Sequence, residues 1–347
     1  MSQNIYKGMS KEDYQNLFKD KDYKLLFEEL KQKVKEEGLS DKIPVRGTIE
    51  VSLVLSIFGL SFYSLFNWTP IITTILFILT FWRSTFIAHD LIHLQYFKNR
   101  KLNKNLGYLF GNIIIGISRD WWEFEHNISH HTLTNVAKKD EDIRGLNGIF
   151  IEEKRGSKWF HKNKRPIFWS LIFFTWFFFH KQSIKYILSN HCKGLKKKLL
   201  NVITLTLHFI LVPGMLLMTL ETSTAWIMIA TIYFVYSFFA SLGFITNHLG
   251  MEVLEGDNYK KMEWFELQTR TSRNIKGGWL VHWMWGGLNT QVEHHLFPKT
   301  PRLNLLKVAK ITEDFCKEKG LFYYVTTPME AFKEIDLELQ EKGQFNY

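Results

Sequence analysis

Cysteine is nearly missing from this sequence. Two occur in 347 residues, Cys192 and Cys316, too few for a disulfide framework or a four-thiolate zinc or iron–sulfur site. Proline and glycine are sparse, at 7 and 21, which excludes collagen-like and low-complexity chains. No cleavable signal peptide is visible, because residues 1–46 are polar and charged from Met1 onward. What abounds is aromatic: 16% of the chain, with 30 Phe and 12 Trp, an excess suited to membrane spans and their flanking belts. Apolar residues at 46% exclude a disordered chain. A mean hydropathy of −0.12 excludes one mostly immersed in lipid. A few spans joined to a charged aqueous part fit both numbers.

The net charge of +10 suits nucleic acid or an anionic membrane surface. Its placement decides between them. Four apolar stretches, 48–66, 70–88, 199–220 and 224–246, each approach the ~20 residues a helix needs to cross the hydrocarbon core. They pair as two hairpins. The tips, FNWT at 66–69 and ETST at 221–224, carry no Lys or Arg, whereas 152–165 and 181–198 hold six each. By the positive-inside rule both termini and the middle segment are cytoplasmic, at the inner membrane if the cell is bacterial. The basic excess then skirts a bilayer, and no nucleic-acid partner is expected.

Within residues 1–46, Leu17, Phe18, Leu25, Leu26, Phe27, Leu30 and Val34 recur at helical spacing, predicting an amphipathic cytoplasmic helix. The apolar run 168–179 is short for a span and reads as interfacial. Pro213 and Gly214 mark a kink in the third span. Arg83 lies inside an apolar stretch, where charge is costly and often functional, unless it snorkels toward the surface. Three segments follow: an N-terminal segment 1–46, a membrane domain 47–330 and a tail 331–347.

Thirteen histidines are present, and most are clustered. His89 and His93 form one His-x-x-x-His pair; His126 and His130 form a second, with His131 adjoining. Gln291, His294 and His295 are spaced i, i+3 and i+4, and His248 ends the fourth apolar stretch. Residues i and i+4 share a helix face, so each pair can point at one place. Neighbours such as His130 and His131 diverge by about 100° and can serve two ions. One histidine alone is most often a satisfied core residue; this set on one topological side is a constellation for a dinuclear site. Imidazole suits zinc, copper, iron and nickel. A structural zinc is satisfied by four ligands, so a dinuclear oxygen-activating iron site makes better use of so many nitrogens. The Glu-x-x-His plan of soluble di-iron bundles is absent from these clusters.

The stretches HDLIH (89–93), WWEFEHNISHHTLTN (121–135), KDEDI (139–143), WFELQTRTSRN (264–274) and GGLNTQVEHHLFPKTPRLNL (286–305) resemble the membrane-bound fatty acid desaturases, most closely the front-end, linoleoyl-type branch. The likeness covers about residues 40–330, and Gln291 is a mark of that branch. It implies an all-α integral membrane protein: four transmembrane helices in two hairpins, and a cytoplasmic helical cap carrying a histidine-rich di-iron site. It also implies oxygen-dependent insertion of a double bond into a long acyl chain, carried as a CoA ester or in a lipid. The ligands it implies are His89, His93, His126, His130, His131, His248, His294 and His295. Gln291 stands where other branches place a histidine and would act directly or through a water, which Asn247 would support. Asp90 and Glu293 would back the imidazoles. Many front-end relatives carry a fused haem domain with a His-Pro-Gly-Gly motif. That motif does not occur here, so electrons are expected from a separate ferredoxin or cytochrome b-type protein.

Trp121, Trp122 and Trp264 would line the substrate mouth, although interface belts are the commoner use of tryptophan. Arg270, Arg273 and Arg302 would meet an anionic head group or serve as ordinary surface charge. His161, His180, His191 and His208 are expected to be non-ligands, and His282 lies off the third cluster's pattern. Three other readings compete: a lipid or carotenoid hydroxylase or ketolase, a metal transporter, and a bis-histidine haem cytochrome. A transporter would place polar groups along its spans, and a cytochrome would pair histidines within them, where only His208 sits.

Overall fold

The computed structural model of the chain describes residues 9–140, 159 and 162–343. The end of the KDEDI stretch, His161 and most of the basic run 152–165 lie outside the described residues. Among these residues the chain is mostly helical, with strand confined to two parallel two-residue pieces, Asn274–Ile275 and Val325–Thr326. Four helices among the described residues are long and apolar enough to cross a membrane: Pro44–Asn67, Pro70–Ile92, Leu195–Thr219 and Thr222–His248. They cover the apolar stretches read from sequence, with ends displaced by about a turn at most. By its internal contacts the chain forms two compact units, interleaved along the sequence.

The first unit holds Lys42–Asn127 and Ser170–Ser241. Helix Pro44–Asn67 opens on proline and stops at the extended Trp68. Thr69 caps the next helix by accepting from the Ile72 N–H, and Pro70 occupies its first turn. The two helices pack through hydroxyls: Ser64 donates to Thr73 at 3.0 Å, and Ser61 faces Thr80 at 3.4 Å. Small hydroxyl residues let apolar helices approach closely where no water drives them together. Ile49, Leu53, Ile71 and Ile75 stay exposed. Arg83 pairs with Glu50 at 3.3 Å, and the Tyr96 hydroxyl donates to the other Glu50 oxygen at 2.6 Å.

The irregularity expected at Pro213 and Gly214 is a π-helical turn, Ile210–Gly214. Proline removes one N–H from the ladder, and the wider turn absorbs the loss. The run 168–179 is broken as well. Helices Lys164–Leu171 and Thr175–Leu188 flank a 3₁₀ turn at Ile172–Phe174. Trp176 and Phe179 are buried, while Phe173, Phe174 and Phe177 are exposed.

A buried polar knot ties the start of the third apolar helix to the segment before the second histidine cluster. Asp120 accepts from Tyr108 at 2.5 Å, from Asn201 at 2.8 Å and from Arg119 at 2.8 Å. Arg119 also forks onto Glu123 at 2.6 and 2.7 Å. Burial alone would raise the Asp120 pKa; hydrogen bonds from Tyr108 and Asn201 and the Arg119 charge reverse this and hold it below the ordinary range. Replacing Asp120 by Ala leaves a buried guanidinium, phenol and amide short of an acceptor. Asp120→Ala is expected to cost about 3–5 kcal/mol, read as early thermal unfolding of the detergent-solubilised protein.

His208 is satisfied internally, with Nδ1 3.1 Å from the Ile113 carbonyl and Nε2 2.7 Å from the Tyr233 hydroxyl. Gly116 packs on that ring with φ +70°, and a Cβ there would lie 2.6 Å from it. Gly116→Ala therefore combines backbone strain with overpacking, for a loss of about 3 kcal/mol. The same melting measurement checks it.

The second unit holds Met1–Asp41, Ile128–Trp169 and Leu242–Tyr347. The single N-terminal helix expected from sequence is two, Lys11–Asn16 and Tyr23–Glu36, parted where Asp20 takes φ +55°. Asp22 caps the second by accepting from the Leu25 N–H, a local signal that outweighs the longer apolar period. Tyr14, Phe18, Tyr23, Leu30 and Val34 share one core with Phe265, Val292, Leu296, Val308 and Phe315. Val292 and Leu296 belong to the short helix Gln291–Leu296, so the N-terminal segment props the third histidine cluster. Arg270 locks this packing. It chelates Glu252 at 2.7 and 2.8 Å, reaches Glu266 at 2.7 Å and lies 4.4 Å over the Phe18 ring; Tyr14 donates to the same Glu252 at 2.9 Å.

Candidate metal centre

In the first unit, His89 sits in the last turn of helix Pro70–Ile92, and His93 is its C-cap. His126 comes from a π-helical segment, Glu123–His130. The three rings lie with centroids 4.6, 5.0 and 5.2 Å apart, and one nitrogen from each falls within 4.8 Å of the others. His89 Nε2 and His126 Nε2 are 3.1 Å apart. Asp90 Oδ1 is 3.3 Å from His89 Nδ1, and Asn127 ties this segment to the Ile92 carbonyl at 2.9 Å.

In the second unit, His130, His248 and His295 bring one nitrogen each within 4.8 Å of the others. Their rings are 4.7 to 4.9 Å apart. What lies behind each ring fixes its tautomer. Asp140 accepts from His130 Nδ1 at 2.9 Å, the Thr271 carbonyl from His248 Nδ1 at 3.1 Å, and Gln268 Oε1 from His295 Nδ1 at 2.8 Å. A carboxylate, a carbonyl and an amide oxygen all require the proton on Nδ1, which leaves the lone pair on Nε2. Gln268 is itself oriented, since its amide N–H donates to the His131 carbonyl at 2.9 Å and Thr134 donates to its oxygen at 3.0 Å. His295 Nε2 is buried and has no hydrogen-bond partner among the described residues. Burial, then the neighbouring imidazoles His131, His248, His130 and His294, hold His295 well below the usual histidine range, so the ring is neutral. Imidazoles with nitrogen lone pairs turned to one place suit a transition metal.

His131 stacks on His295 at 4.3 Å and lies 4.7 Å from His294. The Gln291 amide nitrogen is 2.9 Å from His248 Nε2, and Asn247 donates to Gln291 Oε1 at 3.0 Å and to the Leu288 carbonyl at 2.8 Å. Asn247 thus holds Gln291 by direct contact. Glu293 is gripped by Asn274 at 2.8 Å and Tyr323 at 2.9 Å, and burial pushes its pKa up to about 7. His126 and His130 do not share a place, as their spacing suggested. His126 groups with His89 and His93, and His130 with His248 and His295. Side chains on one face one turn apart are also displaced along the axis, which lets them join different groups.

Trp122 is buried with its ring 6.2 Å from His89; Trp121 packs on Phe179, and Trp264 borders the N-terminal core. Arg273 is fully buried, donating to the Thr246 and Leu249 carbonyls at 2.6 Å each and pairing with Glu334. Arg302 is buried and donates to the Gly286 carbonyl. His180 lies 2.7 Å from the Gly116 carbonyl, and His191 packs on Phe124. Sequence reasoning did not single out Asp140, Thr134, Gln268 or Thr271.

A family model described as fatty acid desaturase matches residues 66–327. The chain belongs to the fatty acid desaturase family. Among its relatives is the acyl-lipid (9-3)-desaturase of Physcomitrium patens, 32% identical over 71% of this chain and 48% of that protein. The Delta(6)-fatty-acid desaturase of Caenorhabditis elegans is 29% identical over 78% and 64% of the respective chains. The Delta(8)-fatty-acid desaturase of Euglena gracilis is 31% identical over 71% and 61%. These names bear out the resemblance to the front-end branch. The chain spans about half to two thirds of the length of these desaturases.

Proposed function

We propose that this desaturase-family protein is a membrane oxidoreductase that inserts a double bond into a long-chain, already unsaturated acyl chain. The acyl-lipid names of the Physcomitrium and Borago relatives favour a lipid-borne chain over a CoA ester. In this reading His89, His93 and His126, together with His130, His131, His248, His294 and His295, hold two iron ions, and Gln291 acts directly or through a water. The observation that carries it is the His295 ring, whose Nδ1 is fixed by Gln268 while its buried Nε2 is left for a ligand.

An unactivated methylene is beyond any side-chain acid or base, so iron held by these histidines would supply the chemistry, the reduction of dioxygen coupled to hydrogen removal. Overall, two hydrogens from neighbouring carbons, two protons and two external electrons convert dioxygen to two waters. The protein's own residues orient and exclude. Asp140, Gln268 and the Thr271 carbonyl keep the imidazoles in the binding tautomer, and burial keeps His295 neutral. Asp90 would support His89, and Asn247 supports Gln291. Glu293, set in the same short helix as His294 and His295, steadies it through Asn274 and Tyr323. Trp121, Trp122 and Trp264 would flank the acyl chain, whereas we assign Arg270 and Arg273 to clamping, since their donors are spent inside the second unit.

The same proposal places the four apolar helices across a bilayer as two hairpins, with both termini and a histidine-bearing helical cap on the cytoplasmic side. Residues 47–330 would form the membrane domain, flanked by 1–46 and 331–347. Electrons would come from a separate ferredoxin or cytochrome b-type protein. Expression in a host of known lipid composition, followed by fatty acid methyl ester analysis, tests the reading. A new double bond, seen as a loss of two hydrogens in mass, is expected. A gain of oxygen would identify a hydroxylase, and an unchanged profile with iron bound and a working donor would contradict acyl oxidation altogether.

A further inference from the structure

Ahead of the third histidine cluster runs the short helix Gly278–Met284, none of whose residues is buried. Trp279 is 77% exposed, Leu280 49% and Trp283 42%. Trp279 and Trp283 are four residues apart and share a face. We propose that this helix is a membrane-surface wedge, with its two tryptophans and Leu280 seated in the head-group and upper acyl region of a phospholipid bilayer.

The wedge is rigidly mounted. Trp285, at its C-cap, is buried and donates through Nε1 to Thr246 Oγ1 at 2.9 Å. His282, which the histidine pattern left unexplained, lies 2.9 Å from Asn289 Oδ1, and Asn289 exchanges hydrogen bonds with the Ile275 backbone at 2.8 and 2.9 Å. Glycines in the left-handed region stand at both ends, Gly278 at φ +72° and Gly286 at φ +62°, turning the chain sharply out and back. The helix is therefore anchored through Trp285, His282 and its flanking glycines, while Trp279 and Leu280 stay exposed.

Composition and size name the occupant. Tryptophan carries an apolar body and one polar N–H, which suits the boundary between hydrocarbon and water. Two of the three other exposed tryptophans among the described residues, Trp68 and Trp226, stand at or near ends of apolar helices that are candidate spans, which the proposed topology puts on the face opposite the cytoplasmic cap, and show the same use of exposed tryptophan at a helix end. The exposed Lys276 precedes the helix and can meet lipid phosphate. Two tryptophans bury roughly 150–250 Å² each at most and a leucine less, together below the ~800 Å² per partner of a stable protein interface. A second copy of this chain would need more surface than the wedge offers.

The test uses the full chain in phosphatidylcholine–phosphatidylglycerol nanodiscs, with a nitroxide on Trp279→Cys or, separately, Trp283→Cys. Cys192 and Cys316 are buried and stay unlabelled. Collision with oxygen and with a water-soluble nickel chelate is compared with labels at Ile75, exposed on a span, and at Lys310, an exposed charge. The wedge predicts an oxygen-to-nickel collision ratio at 279 and 283 close to that at Ile75 and well above that at Lys310. A ratio equal to that at Lys310 places the helix in water and overturns the inference. Protection from both reagents means that protein covers it, and overturns it equally. A nickel-accessible label at Ile75 would sink the membrane reading on which the inference rests, and the wedge with it. Neither readout depends on acyl chemistry, so an inactive enzyme leaves the test intact.

Discussion

His295→Ala is expected to abolish desaturation and to deplete bound iron, while the protein still inserts and purifies. His295 is central to the second unit's group, with its ring within 4.9 Å of those of His130, His248 and His131. Its removal takes away one nitrogen donor and leaves Gln268 Oε1 without the imidazole N–H. The loss should exceed the roughly 100-fold that marks the upper end for residues backing a ligand. Product formation in a host with known lipids and iron per chain after purification are the two readouts. Retained turnover with unchanged iron would show that His295 is not a ligand. The first unit's three histidines do not include it, so the variant should melt as a folded protein.

Gln268→Leu is expected to give the next largest effect, and it separates positioning from ligation. Leucine keeps the bulk but removes the acceptor for His295 Nδ1 and the donor to the His131 carbonyl. The imidazole is then free to turn or to take its other tautomer. Iron affinity should fall by about 10–100-fold, and excess iron should restore occupancy and much of the activity. Asp140→Asn should behave in the same way but more mildly, because the amide oxygen can still accept from His130 Nδ1. Titration with iron under anaerobic conditions, followed by activity at saturation, distinguishes a positioning loss from a missing ligand. An affinity equal to that of the unaltered protein would contradict the role assigned to Gln268.

The histidine clusters were legible because side chains on one helix face recur with a local period, and the long apolar helices because each apolar stretch is contiguous. Gln268, Thr134, Thr271 and Asp140 carry no such signal. Gln268 reaches His295 across 27 positions, and Thr134 reaches Gln268 across 134. Only tertiary folding brings them together, although all four lie inside motifs that already pointed to the family. The break at Asp20 and the regrouping of His126 and His130 were missed for a related reason. Periodicity reports which face a side chain takes, but not where along the axis its partners stand or where a cap interrupts the helix. Arg119 and Asp120 were passed over beside the more conspicuous Trp121 and Trp122, since a buried ionic knot has no sequence period at all.

In the proposed function the clustered imidazoles surround iron, each in a fixed tautomer. Metal analysis of the purified full chain tests this most directly, performed alongside His130→Ala and His295→Ala. Two irons per chain, lost or sharply reduced in both variants, is the predicted result. Zinc in place of iron, or iron that persists undiminished in both variants, would contradict it.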